Sequence, residues 1–487
     1  MFKRSLRTAL SLLAASTIAG CGLMSGPLGG DGEGAPIAFS SKDQIVAVEM
    51  TYKQRDQLNA LVNAGADIWS VDRKAMRLKG ALNQAQYEKA KQLGFKVTRR
   101  SDRYLNNTFD KGYHTYDTML AELKDVAAKY PQLVELQDIG DGWEKNQGKG
   151  SRDIWAIHFK KAGTGKPTVL FAGCHHAREL VTPEMVLGMV HHLADGYGKD
   201  AEVTAAVDNR DIWLVPMVNP DGHALAAKGG NQRKNTNNVT GGKSRLGVDL
   251  NRNYDASWGT AGDSSNPESD TFRGAKAFSE PETQTMRDLM LRIKPVVYLT
   301  FHSFSNAVMW SWDKKDEPAP DKRLAPIGQA MGKLSGYDAY QGSKMYVNSG
   351  DDVDWAFEKL GTLAYTVEVG SYNDGFDPPF SRVSRFWDEN RPMMLFALKI
   401  ADNPDAIFGP KVEAAGTTGT ISLEAEDAVT QAEYFVGRPG AAGTGTAMRV
   451  ADRKAVAAVR SASRQVVYVH AKGANGAWGP WGTAWSN

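Results

Sequence analysis

From about residue 113 to residue 402, continuous apolar runs alternate with helical segments, and this alternation constrains the fold more than any other feature of the chain. The strand-like runs are 153–158, 168–172, 212–218, 295–301 and 363–367. Strands apolar on every residue belong in a sheet covered on both faces. The expected fold is therefore α/β, a mostly parallel mixed sheet with helices on both sides. In open sheets of this kind ligands bind beyond the carboxyl ends of the strands, so the residues placed there carry the chemistry.

Two smaller units flank this region. Strands are expected at 45–50, 68–71, 76–78 and 95–98, with helices at 52–64 and from the cap Asn83 to Leu93, stopped by Gly94. That order, β-α-β-β-α-β, is the split βαβ motif. A Gly-, Ala- and Thr-rich segment at 411–487 shows strand-like pieces at 421–424 and 466–470 and is short for a β-sandwich. Its Trp478, Trp481 and Trp485 are candidates for stacking on sugars or for a small core. The organisation reads as 1–21 leader, 22–42 tether, 43–105 small α+β unit, 110–405 main domain and 411–487 β-rich segment.

The leader pairs Lys3, Arg4 and Arg7 with an apolar run over 9–19, the pattern of an export signal. It ends Ile18-Ala19-Gly20-Cys21, followed by a Gly-rich stretch over 22–34. This resembles a bacterial lipobox and implies lipid on Cys21, hence an envelope lipoprotein, or a protein released after processing; a plain secretory signal is the alternative. With 58 basic against 56 acidic side chains, charge gives no case for nucleic acid. Two cysteines exclude a disulfide scaffold and a thiolate metal cluster, and with Cys21 lipidated Cys174 has no partner.

Three strand ends carry useful groups. The run ending at Ala172 leads into Gly173-Cys174-His175-His176-Ala177-Arg178-Glu179, the run 296–301 delivers His302, and 363–367 delivers Glu368. A His-x-x-Glu with a distant His supplies two imidazoles and a carboxylate, which suit Zn²⁺ and leave a position for water. A nearby carboxylate, Glu368, can accept that water's proton. Spacing alone leaves His175 and His176 both open as ligands. His114, His158, His191, His192, His223 and His470 lack ligand-like spacing, and Cys174 reads as a small buried residue under the site.

These motifs resemble those of the zinc metallocarboxypeptidases of the carboxypeptidase A family, most closely the bacterial carboxypeptidase T-like members, over residues 113–403. Carboxypeptidase A is a known His₂Glu zinc site. The resemblance implies one zinc ion on His176, Glu179 and His302, with Glu368 as general base. It implies that Asn251 and Arg252, in Val248-Asp249-Leu250-Asn251-Arg252-Asn253, hold the substrate's terminal carboxylate, helped by Tyr346. Arg178 joins the cations available to that carboxylate, with a structural ion pair as its other reading, and Arg233 steadies the oxyanion. The implied activity is hydrolysis of the last peptide bond of peptides and proteins. Counting from His302 puts Asp313 in the specificity pocket, favouring C-terminal Lys or Arg; counting from Tyr346 puts Val353 there, favouring apolar ends. The expected compromise is a broad specificity.

Residues 43–105 resemble the family's propeptides, which implies an activating protease acting among Arg99, Arg100, Arg103 and Lys111. Such cleavage would sever the enzyme from a lipid anchor, its only membrane contact. Two competing functions are a cell-envelope amidase trimming peptidoglycan stem peptides and a non-catalytic binding protein on a peptidase scaffold. The Asn251-Arg252 pair speaks against the first. The survival of His176, Glu179, His302 and Glu368 speaks against the second.

Overall fold

The computed structural model describes residues 37–101, 105–461 and 463–486; the leader with Cys21, and Arg103, lie outside them. The small unit comprises β1 (Val46–Thr51), β2 (Asp67–Asp72), β3 (Arg77–Leu82) and β4 (Lys96–Arg99) with helices Arg55–Val62 and Gln84–Gln92. Its sheet order is β2-β3-β1-β4, the expected split βαβ arrangement. Asn83 caps the second helix by accepting from the Gln86 N–H at 2.9 Å.

The main domain is built on an eight-stranded sheet. Its strands are β5 (Val134–Asp141), β6 (Asp153–Phe159), β7 (Thr168–Gly173), β8 (Asp211–Val215), β9 (Val297–His302), β10 (Ala307–Trp310), β11 (Asp338–Gln341) and β12 (Leu363–Glu368). The order is β11-β10-β12-β9-β7-β8-β6-β5. The central four, β12, β9, β7 and β8, run parallel, and β5, β6 and β10 add antiparallel pairs. Successive residues of β7 point to opposite cores. Val169 and Phe171 pack with helices Val181–Gly196 and Val383–Ile400, while Leu170 and Ala172 pack with helix Pro281–Ile293. Burial on both faces is why these strands read as unbroken apolar runs. Strands β5, β10 and β11 escape that signature: β5 is a half-exposed edge, and the other two are four residues long.

The chain leaves β7 for β8 on one side and later enters β9 on the other. This is the topological switch at which a crevice opens above the strand ends.

The C-terminal segment differs from expectation. It holds two four-stranded sheets from β13 (Val412–Thr417), β14 (Thr420–Ala425), β15 (Val429–Val436), β16 (Thr446–Ala447), β17 (Arg449–Ala451), β18 (Lys454–Ala458), β19 (Val466–Gly473) and β20 (Gly482–Trp485). Ile421 and Leu423 of one sheet share a core with Val467 and Val469 of the other, so the segment is a two-sheet sandwich despite its length. Trp481 and Trp485 pack with Ala205, Val466 and Tyr468, and the Trp485 indole N–H donates to the Lys199 carbonyl. His470 stacks against Trp478 and Trp481. Trp481 and Trp485 therefore help fasten the sandwich to the main domain, while Trp478 and Trp481 also line a cavity at that junction. No helix among the described residues is long and apolar enough to cross a membrane.

Candidate active site

Strand register assembles the centre. Glu368 pairs with His302 across β12 and β9, and Gly173 pairs with Phe301 across β7 and β9. Three strand ends thus meet at one level. Beyond β7 the chain must turn sharply. A Cβ on Gly173 would lie 2.8 Å from the Thr182 carbonyl oxygen, and Cys174 adopts a left-handed φ of 60°. The Cys174 N–H donates to Thr182 Oγ1 at 2.9 Å, fixing the turn that aims His176 into the crevice.

His176, Glu179 and His302 are all buried and present one donor atom each within 4.8 Å of one another. His176 Nδ1 lies 2.8 Å from Glu179 Oε1, and His302 Nδ1 lies 3.1 Å from Glu179 Oε2. His175 turns the other way, with Nε2 3.0 Å from the Tyr254 hydroxyl and Nδ1 3.3 Å from Thr300 Oγ1. Burial, opposed by Asp352, draws its pKa down to about 4, so it stays neutral and structural. Two imidazoles and a carboxylate at this separation fit a zinc ion.

Electrostatics hold the cluster ready. Burial opposes charge on Glu179, yet His176 and His302 prevail and keep its carboxyl well below the ordinary range. Glu368 faces the same cluster, and burial followed by repulsion from Glu179 pushes it up to about 8. Its Oε2 is buried with no hydrogen-bond partner. An orphaned acceptor beside a ligand set is what a proton acceptor for an activated water requires.

One contributor escaped the sequence reading. Asp249 Oδ1 lies 3.1 Å from His176 Nε2, while its Oδ2 accepts from Arg233 Nε at 3.1 Å and Nη2 at 2.9 Å. Burial works against its charge, but Arg233 and then His176 hold it well below the ordinary range. A carboxylate behind a ligand imidazole fixes its tautomer and raises its basicity. Its only signal in sequence was its place two residues before Asn251.

The cleft around the cluster is lined by Arg233, Asn251, Arg252, Asp313 and Tyr346 together with His176, Glu179, His302 and Glu368. Arg252 donates to the carbonyls of Gly262 and Asn251 and has no carboxylate partner among the described residues. Asn251 Oδ1 accepts from the Asp352 N–H at 3.0 Å. Val353 is not brought to the cleft; it packs among Leu170, Tyr298 and Trp355 in the core below, because helix Asp352–Leu360 turns that face towards the sheet.

The small unit sits on this cleft. Arg178, with no exposed side-chain surface, donates through Nη1 and Nη2 to the two oxygens of Asp67, both at 2.9 Å. Burial pushes Asp67 up, but Arg178 overrides it and brings the carboxyl to about 2. Ile68 and Trp69 line the cleft, leaving about 50 Å³ free, against the 300–1,000 Å³ of typical ligand pockets, roughly. Lys79 donates to the Tyr372 carbonyl at 2.6 Å, Ser70 and Ser305 hydroxyls meet at 3.1 Å, and the Val347 N–H donates to Asn59 at 3.0 Å. The unit's core also runs on into Met309, Tyr340 and Met345. Residues 107–110 already belong to the main domain, where Thr108 donates to Asp377 and the Phe380 N–H donates to Asp110.

Two histidines outside the cluster do structural work. His223 lies beneath Cys174, 3.6 Å from Sγ, and His114 bridges Glu122 at 2.7 Å and Glu184 at 2.9 Å. These bonds, against burial, raise His114 to about 10 from its ordinary 6.5. The charged form is therefore favoured by folding. The stabilisation is complete below pH 6.5 and lost as pH climbs through 10. His114→Gln is expected to lose about 2 kcal/mol at pH 6 and almost nothing above pH 10, read from melting temperatures of both proteins across that range.

A family model described as zinc carboxypeptidase matches residues 119–393, and the chain belongs to that family. It is 33% identical over 266 residues to carboxypeptidase A1 of Rattus norvegicus, covering 53% of this chain and 62% of the rat protein. It is 32% identical over 299 residues to carboxypeptidase A1 of Homo sapiens, covering 58% and 69%. The match thus spans under two thirds of the rat relative's length. Among solved structures, carboxypeptidase A from Helicoverpa armigera superposes with a TM-score of 0.63 at 25% identity, covering 74% of this chain and 98% of that one.

Proposed function

We propose that the protein is a zinc-dependent exopeptidase that removes the last residue of peptides and proteins. The observation that carries this is the joining of a buried His₂Glu donor set, an orphaned Glu368 oxygen and a carboxylate-free Arg252 in one cleft. Zinc held by His176, Glu179 and His302 would supply Lewis acidity, acidifying a water and polarising the scissile carbonyl.

The remaining work falls to side chains. Arg252 and Asn251 grip the terminal carboxylate, Arg offering the bidentate fork that carboxylates match, and Tyr346 closes over it. That grip selects chain ends and sets the last peptide bond beside the His176, Glu179 and His302 donor set that would hold the zinc ion. Glu368 takes the proton of the attacking water and hands it to the leaving amine. Arg233, held by Asp249, meets the developing oxyanion. Arg178 becomes available to substrate only when Asp67 leaves it.

The unit over the cleft acts as a propeptide, and the protein is made as a zymogen that a protease activates. Cleavage at Lys111 would also strip Thr108 and Asp110 from the loop they hold, so Arg99 and Arg100 are the better sites among those described. Export, lipid attachment at Cys21 and kinship with the bacterial carboxypeptidase T-like enzymes are supported by the lipobox-like leader and the order of motifs. The test is hydrolysis of N-blocked dipeptides ending in Phe, Leu, Arg, Lys and Glu by the cleaved protein. Release of the final residue that a zinc chelator abolishes, and added zinc restores, is expected. Chelator-insensitive release would sink the reading.

A further inference from the structure

We infer that the cavity where the C-terminal sandwich meets the main domain is a binding site for a small uncharged saccharide, stacked on the indole of Trp478 and bonded through its hydroxyls to Trp481 and Asn403. The inference stands apart from the exopeptidase reading and uses none of that site's residues.

The cavity holds about 310 Å³, the low end of the roughly 300–1,000 Å³ of small-molecule pockets. The sandwich brings Trp478 and Trp481 to it, and the main domain brings Lys399, Asp402 and Asn403. The indoles are held rigidly. The buried ring of His470 stacks on Trp481 with centroids 3.6 Å apart and on Trp478 at 4.4 Å, nearly parallel to both. His470 Nε2 lies 2.6 Å from Glu433 Oε1, and the same carboxylate accepts from the N–H groups of Gly443 at 2.7 Å and Gly445 at 2.8 Å. One buried pair therefore fixes both indoles and the end of the loop 439–442, which also lines the cavity. A platform fixed in advance loses little conformational freedom when a ligand lands on it.

The groups left open are neutral ones. The Trp485 indole N–H has an acceptor, but those of Trp478 and Trp481 have none among the described residues, and the Asn403 side-chain amide is likewise unbonded. His470 covers one face of Trp478, and no other ring among the described residues meets that indole. The charges nearby are already answered: Asp402 by Arg210, Lys399 by Glu202 at 2.8 Å and His470 by Glu433. Lys166, also in the lining, is exposed to solvent. An anion would thus find its cations paired or in water, and an apolar guest would cover the amide and indole N–H groups without bonding them. A pyranose suits both needs. Its C–H groups are drawn to the negative face of an indole, and its hydroxyls donate and accept alike, as an amide and N–H groups require.

The experiment titrates the full chain calorimetrically with maltose, cellobiose and N,N′-diacetylchitobiose, and with inorganic phosphate and N-acetyl-leucine amide as rival occupants. At least one disaccharide is expected to bind with a Kd of about 1 mM or tighter. Chelator-treated protein should bind it equally, which separates this cavity from the His176, Glu179 and His302 donor set. Trp478→Ala is expected to weaken binding about tenfold, the worth of one stacked ring, and Asn403→Ala to weaken it several-fold. Trp478 lies outside the cluster that fastens the sandwich, so both variants should melt with the parent. Should Trp478→Ala unfold the sandwich instead, Asn403→Ala on the main-domain side carries the test. No disaccharide bound at about 10 mM, or an affinity that the folded variants leave unchanged, overturns the inference. Binding of phosphate or of the blocked amino acid in place of every sugar, lost in the same variants, overturns it as well by showing a different occupant.

Discussion

Glu368→Gln is expected to lower kcat by about 10²- to 10⁴-fold, the usual worth of a positioned general base, while zinc content stays at the parent's level. The amide keeps the shape of the carboxylate but cannot accept the water's proton. It also removes a negative charge that burial and Glu179 already disfavour, so the fold has no reason to suffer. His176→Ala should do the opposite at its origin, abolishing zinc binding because it deletes one of three donors, with activity lost as a consequence. Metal content after dialysis, set beside turnover of a single dipeptide, separates the two. Equal zinc loss in both variants would overturn the division of roles between base and ligand.

Separating the N-terminal unit should raise activity by a comparable factor. A tethered inhibitor sees its site at about millimolar effective concentration. Even micromolar intrinsic affinity would then leave only about one molecule in 10³ open. Asp67→Ala should release much of that block without any cleavage, since the variant leaves Arg178 buried and unpaired on one side of the contact. Breaking such a pair costs about 3–5 kcal/mol, enough to weaken docking by roughly 10²-fold or more. Hydrolysis rates of the intact variant and the intact parent, with an electrophoretic check that neither is cut, make the comparison. Indistinguishable rates before and after separation would show that the unit shields nothing. The Asp67–Arg178 pair also explains why Arg178 reads two ways: it is an ion-pair partner in this form, and a candidate for substrate once the unit departs.

Much of the architecture was legible because burial on both faces forces unbroken apolar runs. Strands β7, β9 and β12 were found this way, and with them the positions of His302 and Glu368 at the last residues of β9 and β12 and of His176 just past the end of β7. The split βαβ unit was equally readable, since Asn83 and Gly94 mark a helix start and stop. Strands β10 and β11 were missed because four residues carry too little pattern, and most of the C-terminal sandwich because its small residues blur the alternation of faces. Asp249 had no visible role because a carboxylate supporting a distant imidazole leaves no periodic trace.

By itself, then, the sequence determined the fold class, the order of the elements and the identity of the chemical groups. Those are matters of local pattern, of spacing along the chain and of the chemistry each side chain carries. Only the tertiary structure decided which of two adjacent histidines faces the crevice, because the left-handed turn at Cys174 sends His175 and His176 to opposite sides. Only it decided between Asp313 and Val353, because the facing of one helix towards the sheet places one in the cleft and the other in the core. And only it paired Arg178 with Asp67, two residues whose meeting depends on how one unit docks upon another.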